Sequence, residues 1–150
     1  KLGPHRVSAH AAPLLAPIVE EAWHDTDIAR QAVRRYVSLF NGIDTLVLAC
    51  THYPLLMPAF EEAVDGRIRV LDPGPAVAQK LVSWLDRHPG FTEVGTGALR
   101  VLCTGDPEAF RRAGALFLGA PLGSVSHVAE DRGRLAHRDV VRVVVGQVVR

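Results

Sequence analysis

Between residues 27 and 71 the apolar pattern changes period repeatedly, and this alternation limits the fold more than any other feature of the chain. From Asp27 to Phe40, the residues Ile28, Ala29, Ala32, Val33, Tyr36, Val37 and Phe40 recur at helical spacing on one face. Arg30, Arg34 and Arg35 point the other way, as a solvated face, and Gly42 supplies a stop. A short apolar run from Thr45 to Ala49 reads as a strand, Pro54 opens a helix reaching about Val64, and Arg67 to Leu71 reads as a further strand. Helix, strand, helix and strand with short connections predict an α/β fold on a parallel sheet, with function at the carboxyl ends of its strands.

Cys50 lies at such an end, where a strand passes into a helix. A thiol just ahead of a helix meets the partial positive charge of unpaired first-turn amides, which stabilises the thiolate. Those amides can also bind a carboxylate. His52 is close enough in sequence to exchange a proton with the sulfur, and Thr51 offers a hydroxyl and a backbone N–H. A strand cysteine taken at random is more often a buried, inert residue. Here the longer run in which it sits decides between the two readings.

The run Leu48-Ala49-Cys50-Thr51-His52-Tyr53-Pro54-Leu55-Leu56 closely resembles the second cysteine motif of the glutamate racemases, within the aspartate/glutamate racemase superfamily. Those enzymes interconvert L- and D-glutamate without a cofactor and supply D-glutamate for peptidoglycan and cell-wall biogenesis, hence cell shape. The resemblance implies that Cys50 is one of two catalytic cysteines facing each other across the substrate α-carbon. One removes the α-proton and the other protonates the opposite face. Thr51 and His52 would contact the substrate, and His52 would assist the thiol. The family's usual glycine before the cysteine is Ala49 here, a methyl that would be strained if the position required positive φ.

Upstream, Arg6 to His10 reads as extended, and Pro13 and Pro17 fit a loop entering a helix at Pro17. On that reading Glu20 is a first-turn acid favoured by the helix dipole. The segment Pro17-Ile18-Val19-Glu20 also resembles the family's proline-leucine-valine-glutamate run, which implies that Glu20 orients the active-site His52 and favours its protonated form. A cysteine common in the family before the first proline is Ala12 here, and it is not the catalytic base.

Downstream, Asp72-Pro73-Gly74 reads as a turn starting a helix to about Arg87, too weak a pattern for a nucleotide fingerprint. Residues 88–97 read as a loop and Leu99 to Cys103 as a strand. Asp106 is the expected N-cap of the next helix, with Pro107 in its first turn, and Leu122 to Val128 is the last strand. Thr104-Gly105-Asp106 followed by Phe110 resembles a late segment of the family. Cys103 falls where the family has a structural strand, so a buried thiol is expected there. The tail from Asp139 to Val149 has apolar residues at both helical and extended spacing.

Composition narrows the class. The chain has 150 residues, 48% of them hydrophobic and 22% charged, with a net charge of +1, which fits a globular domain. No basic stripe interleaved with aromatics points to nucleic acid. Apolar runs too short for a bilayer and the lack of a leading signal peptide make a cytoplasmic location, with no membrane partner, the expectation. The two cysteines have no metal-cluster or disulfide spacing, in line with a reducing compartment. The histidines His5, His10, His24, His88, His127 and His137 lack partners at ligand spacing, so no metal or cofactor is expected.

The resemblance covers about the first six-sevenths of the chain but only the later half of a racemase. The family's amino-terminal aspartate-serine-glycine, proline-tyrosine-glycine and alanine-cysteine-asparagine-threonine words are absent, and the chain starts without methionine, as a fragment would. The implied fold is an incomplete parallel-sheet sandwich of the aspartate/glutamate racemase type. Residues 1–72 would form part of the second α/β domain, residues 73–128 would return to the first, and 129–150 would be a tail. The expected function is that of a glutamate racemase fragment, inactive alone, with glutamate as substrate and a homodimer when full length. Another superfamily racemase, acting on a different acid or a hydantoin, is one alternative, although His52 and Tyr53 favour glutamate. A non-catalytic truncated remnant is the other.

Overall fold

A computed structural model describes residues 6–91, 101–131 and 134–135 of the chain. The chain divides into two compact units, residues 1–93 and 94–150.

The first unit contains α1 (Leu15–Glu20), α2 (Asp27–Val37), β1 (Thr45–Val47), α3 (Met57–Val64), β2 (Arg69–Leu71) and α4 (Gly74–Asp86). The strands pair in parallel, Thr45 opposite Arg69 and Val47 opposite Leu71, as the alternation of helix and strand requires. Leu48 N–H extends the ladder to the Leu71 carbonyl at 2.9 Å, carrying the chain in extended form toward Cys50. Leu15, Val19, Val33 and Leu56 are fully buried, and Ile18, Ala29, Leu46, Leu48, Ala59, Phe60 and Val64 form one cluster with them. The core therefore sits between α1, α2, α3 and the inner face of β1.

Several element ends differ from the sequence expectation, each for a local reason. Helix α1 starts at Leu15, two residues before Pro17, because the first turn of a helix has no internal amide partners and so tolerates a proline at its third position as well as at the favoured first. Pro54 does not open the long helix. Pro58 lacks the N–H that a helix begun at Pro54 would need, so residues Tyr53–Leu56 form a single 3-10 turn and α3 restarts at Met57 with Pro58 in its first turn. Helix α2 ends at Val37 and continues to Phe40 only as tightening turns, Leu39 N–H to Tyr36 O and Phe40 N–H to Val37 O, both 3.1 Å. Of its expected apolar face, Ala29 and Val33 are buried and Ala32, Tyr36, Val37 and Phe40 pack against the core, but Ile28 in the first turn is 55% exposed. Two of the three arginines of α2 meet acids: Arg30 pairs with Asp25 and Asp27, and Arg34 joins Glu62 of α3.

At the start of α4, Gly74 N–H donates to Asp72 Oδ1 at 2.8 Å, the turn expected there. No residue of α4 is buried.

The second unit pairs β3 (Val101–Cys103) with β4 (Val125–His127) in parallel, joined by α5 (Pro107–Leu118). Asp106 caps α5 as expected, accepting from the N–H groups of Glu108 at 2.8 Å and Ala109 at 3.2 Å. Those donors hold its carboxyl below the ordinary value. The strand expected from Leu122 shortens to β4, because Leu122 turns inward against α5: a Cβ on Gly114 would lie 2.7 Å from Leu122 Cδ2. Leu122, Val128 and Cys103 are buried. A two-residue antiparallel pair, β5 (Glu130–Asp131) with β6 (Arg134–Leu135), follows. His5, His137, most of the 88–97 loop, the first residues of the strand expected at Leu99 and the Asp139–Val149 tail lie outside the described residues.

Candidate active site

Cys50 follows β1 after two extended residues, and a tight turn then folds the chain back under it. Tyr53 N–H donates to the Cys50 carbonyl and Leu55 N–H to the His52 carbonyl, both at 3.2 Å. This turn places Cys50 half-buried, Thr51 exposed, and His52 with 21% of its side chain in contact with solvent. Its imidazole bridges two partners. Nδ1 lies 3.7 Å from Cys50 Sγ, within reach of a long sulfur hydrogen bond, and Nε2 lies 3.0 Å from Glu20 Oε1. An ionised carboxylate only accepts, so Nε2 carries a proton toward Glu20 and Nδ1 faces the sulfur. The order thiol, imidazole, carboxylate can take a proton from the sulfur and hold the resulting charge.

Two reasons offered by the sequence for this chemistry change. Glu20 is the last residue of α1 rather than a first-turn acid, because that helix begins earlier than its prolines imply. Its carboxylate is thus held at the end of the helix, where the imidazole is its partner and the helix dipole is not. Cys50 precedes a single 3-10 turn, and α3 starts only at Met57, so the amides of a full helix do not account for a reactive thiol. The polar group that the fold sets beside the sulfur is the His52 imidazole. Ala49 carries its methyl without backbone strain, since Ala22 and Asp65 are the only non-glycine residues with positive φ among those described.

The expected residues Cys50, His52 and Glu20 are brought together, with Thr51 on the exposed side of the same turn. Sequence reading missed two contacts that join this turn to the segment leading into α1. The Tyr53 hydroxyl donates to the Ala12 carbonyl at 3.2 Å, and Leu14 N–H donates to the Tyr36 hydroxyl at 3.3 Å. Partners 41 and 22 residues apart leave no local pattern to read. Burial pushes the Tyr53 phenol above its ordinary value, and the charges of Cys50 and Tyr36 when ionised push the same way.

Cys103, 7% exposed, donates to the Gly105 carbonyl at 3.5 Å within the second unit. No cluster of three or more potential metal ligands occurs among the described residues. An apolar groove in the first unit runs along α4, lined by Pro73, Ala76, Val77, Lys80, Leu81 and Trp84 and not by Cys50. It is an open, mainly apolar surface with Lys80 as its one charged lining residue.

Comparison with known proteins adds a second line of observation. No family model matches the chain. It is 37% identical over 125 residues to a glutamate racemase of Chlorobaculum parvum, a match covering 81% of this chain and 46% of that protein. It is 38% identical over 123 residues to one of Desulforudis audaxviator, covering 76% and 45%. In three dimensions it is similar to the glutamate racemase of Thermus thermophilus, solved in complex with beta-chloro-D-alanine, with a TM-score of 0.68 at 33% identity over 79% of this chain and 46% of that one. The enzyme of Francisella tularensis, solved in complex with D-glutamate, matches with a TM-score of 0.68 at 26% identity, over 77% and 44%. The chain spans about half the length of the curated relatives it matches. Its sequence and its incomplete α/β fold are similar to those of about half of each of these glutamate racemases.

Proposed function

We propose, from the premise that this chain shares sequence and fold with part of the glutamate racemases, that it is the carboxyl-terminal portion of such an enzyme and carries one of its two proton-transferring thiols. The observation that carries the reading is the relay from Cys50 Sγ through His52 to Glu20, at 3.7 and 3.0 Å. In one direction the Cys50 thiolate forms an S–H bond as the Cα–H bond of glutamate breaks, and the electron pair passes into the α-carboxylate. A thiol on the opposite face then gives its proton to the carbon. No net oxidation occurs and no cofactor is required. His52 accepts the proton from Cys50 and returns it, with Glu20 balancing the imidazolium charge, while Thr51 contacts the substrate.

Because inversion needs two poised groups on opposite faces, the chain alone does not racemise. Its second cysteine, buried in another unit, is not offered as the partner. The missing thiol belongs to an amino-terminal half, to which residues 73–128 return, with residues 1–72 forming the part of the second domain that bears Cys50. The whole enzyme works in the cytoplasm as a homodimer and supplies D-glutamate to peptidoglycan. No helix among the described residues is long and apolar enough to cross a membrane.

The test is exchange of the glutamate α-proton with deuterium from solvent by the full-length protein, followed by proton NMR. Exchange is expected with both enantiomers, and Cys50→Ala is expected to lower it at least ~100-fold, the scale of a lost acid or base. Unchanged exchange in that variant removes Cys50 from the reaction.

A further inference from the structure

We infer that Tyr53 is a positioning residue for the Glu20–His52 contact, acting through its hydroxyl as a clasp between the Cys50 turn and the start of α1. The inference deepens the proposed relay and rests on it. Three features of Tyr53 meet at this point. Its N–H closes the turn on the Cys50 carbonyl at 3.2 Å, which fixes the loop bearing the thiol and the imidazole. Its ring is half-buried beside Phe60 of α3, with centroids 6.2 Å apart, which anchors the phenol to the core. Its hydroxyl then reaches across to Ala12, just before α1.

Ala12 is where the position of α1 is set. Its carbonyl also accepts from Leu15 N–H at 3.1 Å, the first bond leading into the helix. Two residues on, Leu14 N–H is held by the Tyr36 hydroxyl at 3.3 Å, so the only two tyrosines of the chain grip one short stretch of backbone. From that stretch α1 runs six residues to Glu20, whose carboxylate is more than half exposed and meets His52 Nε2 at 3.0 Å. An exposed acid on a short helix keeps a 3.0 Å contact only if the helix is held in register with the imidazole. Leu15 and Val19 supply the apolar hold, which is tolerant of small slides, whereas a hydrogen bond is directional. Tyr53 adjoins His52 in sequence, so the same residue sets both ends of the contact.

The test reads the alkylation rate of Cys50 by iodoacetamide in the 150-residue chain, by mass spectrometry of the Cys50 peptide, in a double-mutant cycle. Glu20→Gln and Tyr53→Phe are each expected to slow the reaction at neutral pH about threefold to tenfold, and the double variant to be no slower than Glu20→Gln alone. That non-additivity separates positioning from loosening, since a loosened turn exposes the thiol and speeds alkylation in either background. If Glu20→Gln slows alkylation and Tyr53→Phe does not, or if the two effects multiply, the clasp is overturned while the relay stands. If Glu20→Gln leaves the rate unchanged, the relay fails and the clasp with it. Should Tyr53→Phe not fold, Tyr36→Phe releases the other side of the same grip and is read in the same cycle.

Discussion

Tyr53 gives the neighbourhood of Cys50 an optical reporter. Its phenol is raised from 10.0 chiefly by burial, then by the negative charge Cys50 carries when ionised, then by Tyr36. Removing that charge with Cys50→Ala should bring the ionisation of Tyr53 part of the way back, leaving it above 10.0 because burial is untouched. An ultraviolet titration of tyrosinate follows this, with Tyr36 as the only other contributor. The sign for stability follows from the raised value. The folded chain holds the phenolic proton more tightly than the unfolded chain, so the contribution is complete below the ordinary tyrosine range and is lost as pH rises through the folded value. Cys50→Ala should flatten that alkaline loss. A titration identical to that of the unsubstituted chain would mean the sulfur's charge is not felt at the phenol, and would separate the thiol from the turn that is taken to hold it.

Among the elements, α2 depends on a cap that makes a clean test of how its start is specified. The Thr26 hydroxyl accepts from Ala29 N–H at 3.3 Å and donates to the Trp23 carbonyl at 2.7 Å. Thr26→Ala should cost about 1 kcal/mol in urea unfolding, while Thr26→Ser should keep most of the stability. A loss in the serine variant as large as in alanine would place the effect in the lost methyl packing. The presence and order of these elements were legible in the sequence, because helical and strand periods alternate over residues 27–71 and Asp106-Pro107 marks a helix start. Their ends were less so. Pro58 breaks the helix expected from Pro54 only because a second proline follows within one turn, and Pro17 sits deeper in α1 than its strongest preference. Both shifts move the residues relative to helix ends, so the dipole arguments for Cys50 and Glu20 fall away, while the folded chain sets the two on either side of His52. The tyrosine contacts to residues 12–14 were not legible at all, since only the folded chain brings those segments together.

At the scale of the whole molecule, the apolar residues of α4 stand out against the buried core of the first unit. Val77, Leu81 and Val82 are 64%, 55% and 59% exposed, and Trp84 lines the same groove, so this 13-residue helix buries none of its own side chains. A helix of that length is marginal without tertiary packing, and exposed apolar patches of this kind favour association. If residues 73–128 belong with an amino-terminal half, as proposed, α4 is a helix lacking the surface it evolved to cover. The 150-residue chain should therefore self-associate as its concentration rises, and the weight-average mass from sedimentation equilibrium reads this directly. Val77→Glu with Leu81→Glu should return it toward the monomer without changing the alkylation rate of Cys50, because neither residue touches the turn. In the full-length protein the same pair should instead destabilise the fold by burying charge without a partner. A chain that stays monomeric at every concentration while its α4 amides resist hydrogen exchange would show that the helix needs no covering, and the division proposed at residue 72 would then have to be redrawn.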